Sequence, residues 1–377
     1  MRRLFLLTFW FCASVLPQAV GEEASPIPWV PDQEVIEELR TAPQTNPDRA
    51  DRLMELFQQA GLTDVQKQAV QWPGPPESKP DPGPLNVIAL LPGKTETRIV
   101  VGAHTDCSQA GAGIIDDWSG AALLANLAQT LKPLPRTHTF VFVGFTLEEV
   151  GMAGSRDYVR RLSPEERSTV KAMVNLECLG VSTTYVWKTG SADALEALAS
   201  RVASEQDVDV TIRDLFGAAT DSDNFMVAGI PAITFDSLSS EDFRLIDSPN
   251  DRFSAINQDL YLTQYRFLVR YLLALDQVEG PVDPANTDRG RPPLEPGFVP
   301  DMDRLRTERV VVAARVFEGS PEHRAGLQPG DTILKFGGVV VTSPQDFVTR
   351  FLRIGVGDKV TATVKRDGEE VELEIQY

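Results

Sequence analysis

Between residues 85 and 275 the chain alternates short apolar runs with stretches of helical periodicity, and that alternation limits the folds open to it. The runs at 85–91, 98–103, 138–145, 172–176 and 232–236 are rich in Val, Ile, Leu and Phe and have strand length. Helical spacing of apolar residues marks 119–131, 192–204 and 258–275, and earlier 33–40 and 48–60, where Gly61 stands at the stop position. A helix between two strands carries the chain back to the edge where the first strand began, so consecutive strands run parallel. Parallel sheets are buried on both faces. The expected fold is therefore α/β, a three-layer domain with a mostly parallel central sheet flanked by helices. In such sheets ligands collect beyond the carboxyl ends of the strands.

Three of those ends carry metal-binding side chains. His104 and Asp106 follow the run at 98–103, Glu148 and Glu149 follow the run at 138–145, and Glu177 follows the run at 172–176. Asp116 and Asp117 lie between the first two. One imidazole and several carboxylates on one sheet edge form a donor set for a pair of divalent ions, which points to hydrolysis. Such a centre needs a bridging carboxylate, terminal ligands for each ion and a base for the attacking water. Asp116 is placed to bridge.

The segments Gly102-Ala103-His104-Thr105-Asp106, Gly113-Ile114-Ile115-Asp116-Asp117-Trp118-Ser119-Gly120 and Glu148-Glu149-Val150-Gly151-Met152-Ala153-Gly154-Ser155 carry a joint pattern. Asn175-Leu176-Glu177, Ser222-Asp223-Asn224-Phe225, Gly229-Ile230-Pro231 and Ser248-Pro249-Asn250-Asp251 continue it. Together they resemble the zinc aminopeptidases of metallopeptidase family twenty-eight, over about residues 33–276. The resemblance implies His104 and Glu177 as ligands of one ion, Asp116 as the bridge, Glu149 as a ligand of the other and Glu148 as the catalytic base. It makes Asp106 the group that orients His104, a role the chemistry also wants because it fixes the tautomer.

Two positions depart from the family. Glu177 stands where Asp is usual, and Asp247 stands where the last histidine ligand is expected. His138 and His323 are poor substitutes and read as structural. The resulting five ligands bring four negative charges, where the usual set brings three. The ion held by Glu149, Asp247 and the Asp116 bridge would then have oxygen donors only, which suits harder ions. The expectation is two divalent metal ions, zinc in the first instance, with one site weaker or open to Mn, Mg or Co.

At 377 residues the chain has room for a second domain. A proline-rich linker at 279–295 precedes a mostly β unit at 296–377. Gly319-Ser320-Pro321, Ala325-Gly326-Leu327-Gln328-Pro329-Gly330-Asp331 and Arg366-Asp367-Gly368 resemble a bacterial PDZ domain. That implies capture of an extended peptide end by strand addition, with Gly297, Phe298 and Val299 as the loop that receives a C-terminal carboxylate. A purely structural appendage is the alternative.

The formal charge of −18 excludes nucleic acid as a partner and disfavours anionic membranes. Residues 1–21 read as a signal peptide, with Arg2-Arg3 before an apolar run, leaving a catalytic domain at 22–278 with no stable membrane span after cleavage. Export to the periplasm or the extracellular space follows. Of three cysteines, Cys107 and Cys178 would remain, as a disulfide near the site or as buried free thiols, the second being favoured. The leading reading is an exported metal-dependent aminopeptidase acting on peptides with a free N-terminus. A single-metal acyltransferase resembling glutaminyl cyclase and a degenerate, non-catalytic peptide-binding protein are the alternatives.

Overall fold

The computed structural model describes residues 26–72, 79–286 and 296–377, apart from 109, 214–218, 240, 302–303, 306–307, 343–346, 348–349, 352–353 and 355–356. The expected signal peptide and most of the expected linker lie outside these residues.

The first domain is built on an eight-stranded sheet in the order β1-β2-β4-β3-β5-β8-β6-β7. The strands are β1 (Asp64–Ala69), β2 (Leu85–Leu91), β3 (Arg98–His104), β4 (Thr139–Phe145), β5 (Val170–Leu176), β6 (Thr184–Trp187), β7 (Val210–Arg213) and β8 (Ala232–Asp236). The centre, β4-β3-β5-β8, is parallel, as the alternating pattern requires. The flanks are not: β1 pairs antiparallel with β2, β2 with β4, and β6 with β8. The sheet is therefore mixed. Parallelism follows only where a helix intervenes, and among the described residues none separates β1 from β2.

Helices cover both faces. On one side α1 (Asp32–Arg40), α2 (Asn46–Gln59), α3 (Ser119–Leu131), α6 (Asp193–Gln206) and α8 (Gln258–Asp276) bury Leu39, Phe57, Leu123, Leu195 and Leu268 in one cluster with Val101, Phe142 and Val174 of the sheet. On the other, α4 (Ala153–Arg161) and α7 (Asp221–Val227) supply Tyr158 and Phe225 to a cluster with Val100, Val143 and Met173. Each large side chain so buried stabilises the fold by about 1.5–3 kcal/mol before entropy is counted. α3 is apolar on almost every side because β3, α1, α2 and α8 all pack on it. Caps fix the helix starts. Thr45 accepts the Asp48 amide at the head of α2, and Asn257 accepts those of Asp259 and Leu260 at the head of α8. Past α2, Gly61 has φ +80°, a conformation that costs a residue with a Cβ.

The second domain has its own core of Phe298, Phe336, Phe347, Phe351, Leu373 and Tyr377. A four-stranded antiparallel sheet holds β11 (Thr332–Phe336), β12 (Val339–Val340), β13 (Lys359–Arg366) and β14 (Glu369–Gln376), and β9 (Phe298–Pro300) pairs with β10 (Ala313–Val316). The β13–β14 hairpin turns on Asp367 and Gly368, both with positive φ, the pairing that tight hairpins favour. Among the described residues no helix is long and apolar enough to cross a membrane.

Candidate metal centre

Neighbouring parallel strands end together, and the chain uses this to gather its acids. His104, the last residue of β3, stands in register with Phe145, the last of β4. The Thr105 amide and hydroxyl both donate to the Phe145 carbonyl, at 2.7 and 2.9 Å, so the two exits are tied. Glu177 leaves β5 on the other side of β3, its amide donating to Phe235 of β8 at 2.9 Å.

These exits bring three expected ligands into contact. His104 Nε2 lies 2.9 Å from Asp116 Oδ1 and 3.3 Å from Glu177 Oε1. The second oxygen of Glu177 is held by the Thr220 hydroxyl at 2.7 Å and by Asn175 Nδ2 at 3.2 Å, so one oxygen is left to face His104. That clamp seats the extra methylene that Glu has over Asp. His104 Nδ1 donates to the Asp106 carbonyl at 2.9 Å, whereas the Asp106 carboxylate is 3.7 Å away. The backbone of Asp106, more than its side chain, thus sets the imidazole so that Nε2 points at the acids.

The Asp106 carboxylate has a different task. Its oxygens accept the amides of Glu148 at 3.1 Å and Glu149 at 3.3 Å. Leu147 just before them has φ +59°, a left-handed turn that costs about 1 kcal/mol in a residue with a Cβ. This turn, pinned by Asp106, lets adjacent glutamates serve different purposes. Glu149 accepts the Ser108 amide at 2.8 Å, while the buried Glu148 carboxyl feels the charges of His104, Glu177, Asp221 and Asp116.

Asp117, adjacent to Asp116, is tied to the backbone around it. Its carboxylate accepts the amides of His104, Gly120 and Cys178 at 3.3, 3.1 and 3.0 Å. It therefore braces β3, α3 and the exit of β5 against one another, although its oxygens lie close to His104 and Glu177. Asp251 braces Asp116 from outside, accepting the Ile115 amide at 2.6 Å, while its carbonyl accepts the Ala112 amide at 2.8 Å. Arg49, fully buried, donates to the carbonyls of Pro43 and Ala112 at 3.1 and 2.5 Å and stacks over Trp118.

The remaining expected residues fall apart from this cluster. Asp247 sits on an exposed turn with φ +51°, and its charge acts on Asp116 and Glu149. Neither Glu149 nor Asp247 belongs to the groups of donor atoms that lie within 4.8 Å of one another. His138 is at the far end of β4, its Nδ1 3.3 Å from Thr95 Oγ1, and His323 Nδ1 accepts the Gly319 amide in the second domain. Both are structural. Cys107 and Cys178 are buried free thiols. In the second domain Phe298 belongs to the core, the Gly297 carbonyl accepts the Phe317 amide at 2.8 Å, and Val299 remains 38% exposed.

Electrostatics identifies what the cluster needs. Burial pushes His104 towards the neutral form, yet Asp106, Asp116 and Glu177 outweigh it and hold its pKa well above the usual value. Burial raises Glu148 well above the carboxylate range, Glu149 to about 8 and Asp221 to about 7, with the neighbouring acids adding to each shift. Glu177 alone is held below its ordinary value, because His104, Thr220 and Asn175 overcome its burial. Acids this crowded call for cations, and one imidazole with carboxylate oxygens suits divalent ions. The donor set fits a metal.

Sequence reading finds the ligands because each sits beside an apolar run. Asp117, Asn175 and Asp251 lie in the patterned segments without their bracing roles being legible there, and Thr220 escapes altogether, since these roles rest on partners distant in sequence.

Residues 86–272 match the model of peptidase family M28, and residues 292–377 match that of the PDZ domain. An aminopeptidase of Pseudomonas aeruginosa is 35% identical over 96 residues, 25% of this chain and 18% of its own length. Aminopeptidase YwaD of Bacillus subtilis is 28% identical over 152 residues, 36% of this chain and 31% of its own. The matched stretch is thus less than a third of either relative. Among solved structures, the LapA aminopeptidase of Legionella pneumophila superposes with a TM-score of 0.55 at 20% identity, over 66% of this chain and 71% of its own. A Zn-dependent exopeptidase of Parabacteroides distasonis gives 0.55 at 13%, over 67% and 100%. Both share the fold.

Proposed function

With residues 86–272 belonging to peptidase family M28 and residues 292–377 forming a PDZ domain, we propose that the chain is a metal-dependent aminopeptidase that removes N-terminal residues from peptides. The observation that carries this reading is the meeting of His104 Nε2 with Asp116 and Glu177 at the carboxyl ends of β3 and β5, beside Glu148 and Glu149.

His104, Asp116 and Glu177 would hold one divalent ion, and Asp116, Glu149 and Asp247 a second, looser one. Such ions polarise the scissile carbonyl and lower the pKa of water. Glu148 takes the proton from the attacking water and returns it to the leaving amine. Burial holds its pKa high, and a cation held by the neighbouring acids would bring it down toward the working range of a general base. Asp106 fixes the turn that carries Glu148 and Glu149 by accepting both of their amides. Acids around the centre also favour a substrate with a charged amino terminus.

We place the activity outside the cytoplasm, on the strength of the leader-like residues 1–21. The PDZ domain is assigned a C-terminal peptide of a partner or substrate, received beside Gly297, Phe298 and Val299.

The test is hydrolysis of a panel of aminoacyl-anilides by the full chain, before and after chelation, with zinc restored. Turnover that stops on chelation, returns with zinc and fails on N-acetylated substrates is expected. Turnover indifferent to chelation, or none with any metal, contradicts the proposal.

A further inference from the structure

Cys178 lies at the centre with no part in the scheme above. It directly follows Glu177, is buried, and has φ +49°, a left-handed conformation uncommon outside glycine. Its backbone is pinned on both sides. The amide donates to Asp117 Oδ1 at 3.0 Å, and the carbonyl accepts the Ser237 hydroxyl at 2.7 Å. Residues held in this way cluster where a side chain must be aimed. Here the thiol is aimed inward, with Sγ 3.7 Å from Glu177 Oε1.

The spacing is that of a coordination shell. A tetrahedral ion with bonds of about 2.0–2.3 Å separates its donors by roughly 3.3–3.8 Å. His104 Nε2 to Glu177 Oε1 is 3.3 Å and Cys178 Sγ to Glu177 Oε1 is 3.7 Å, while His104 to Asp116 is tighter at 2.9 Å. One ligand atom each from Asp116, Glu177 and Cys178 also lie within 4.8 Å of one another. Two carboxylate oxygens and the sulfur therefore converge, and His104 Nε2 stands against the same two carboxylates.

We propose that Cys178 is a thiolate ligand of the ion held by His104, Asp116 and Glu177. This rests on the metal-dependent reading above and adds a donor to it. As the metal–sulfur bond forms the S–H bond breaks, and its proton leaves to the buffer. A thiolate makes this side soft and selective for zinc, cobalt or cadmium, while the side of Glu149 and Asp247 has oxygens alone and accepts harder ions. Four protein donors also fill this shell, so the open coordination position falls on the Glu149 side.

Cobalt loading of the full, metal-depleted chain tests this. The parent should show an intense near-ultraviolet thiolate-to-cobalt charge-transfer band, kept in Cys107→Ser and lost in Cys178→Ser while visible cobalt bands remain. Cobalt bound by the parent without that band overturns the ligand, and leaves the peptidase reading intact if zinc still restores aminoacyl-anilide hydrolysis. No cobalt bound overturns both. If circular dichroism shows Cys178→Ser unfolded, cadmium NMR of the parent decides. A resonance in the thiolate-bound region supports the assignment, and one in the region of nitrogen and oxygen ligands alone refutes it.

Discussion

In the second domain the buried Asp331 has both oxygens bracketed by Arg366, with Nε to Oδ1 at 2.7 Å and Nη2 to Oδ2 at 2.6 Å. At the strand ends of the first domain Asp116 and Glu177 instead face one imidazole. The buried guanidinium of Arg49 directs its hydrogen bonds to carbonyls. Asp331 is given its cation within the chain. The strand-end carboxylates share one imidazole among several, a cost in stability that protonation or a bound cation relieves.

That contrast can be broken first at Glu148. Glu148→Gln keeps the size of the side chain and removes the base, so kcat should fall by about 10²–10⁴-fold with bound metal unchanged. Steady-state kinetics beside metal analysis checks this, and equal loss of metal would recast Glu148 as a ligand. Next comes Arg366→Met, which strands the buried Asp331. Unfolding of the second domain should become easier by about 2–4 kcal/mol, the guanidinium being partly exposed, with aminoacyl-anilide turnover unchanged. Denaturant melts followed together with activity would show it.

The smallest expected effect concerns Glu38, which belongs to neither class. Its carboxylate accepts from Asn126, and burial raises its pKa to about 7. A carboxyl whose folded pKa is raised binds its proton more tightly in the native state than in the unfolded one. Its penalty is absent below about pH 4.5, grows as pH rises, and is complete above about pH 7. Glu38→Gln should therefore gain about 1–2 kcal/mol at pH 8 and nothing at pH 4, after allowance for its partial exposure. Equal gains at both pH values would show that the carboxylate charge is not the cause.

The same contrast explains what was legible in the sequence. His104, Asp116, Glu148, Glu149 and Glu177 could be read because each stands at or soon after a buried apolar run, and strand ends in a parallel sheet share an edge. β1 could not, since Asp64–Ala69 is polar and half exposed at the sheet margin. Nor could β6, whose four residues Thr184–Trp187 are too short a run to stand out. The bracing of Asp117 to three amides and of Asp251 to the Asp116 loop depends on contacts across as many as 136 positions, which no local pattern records. The orientation of His104 by the Asp106 carbonyl was equally hidden. A sequence displays the side chains, and the nearer partner was backbone.

The central claim is that the strand-end acids are a divalent-metal centre with unequal halves. Calorimetric titration of zinc into the metal-depleted chain tests it most directly. The account predicts a tight event for the side of His104, Asp116 and Glu177, abolished by His104→Ala, and a weaker one that Asp247→Ala removes. No binding, or two equally tight events indifferent to Asp247, would contradict it.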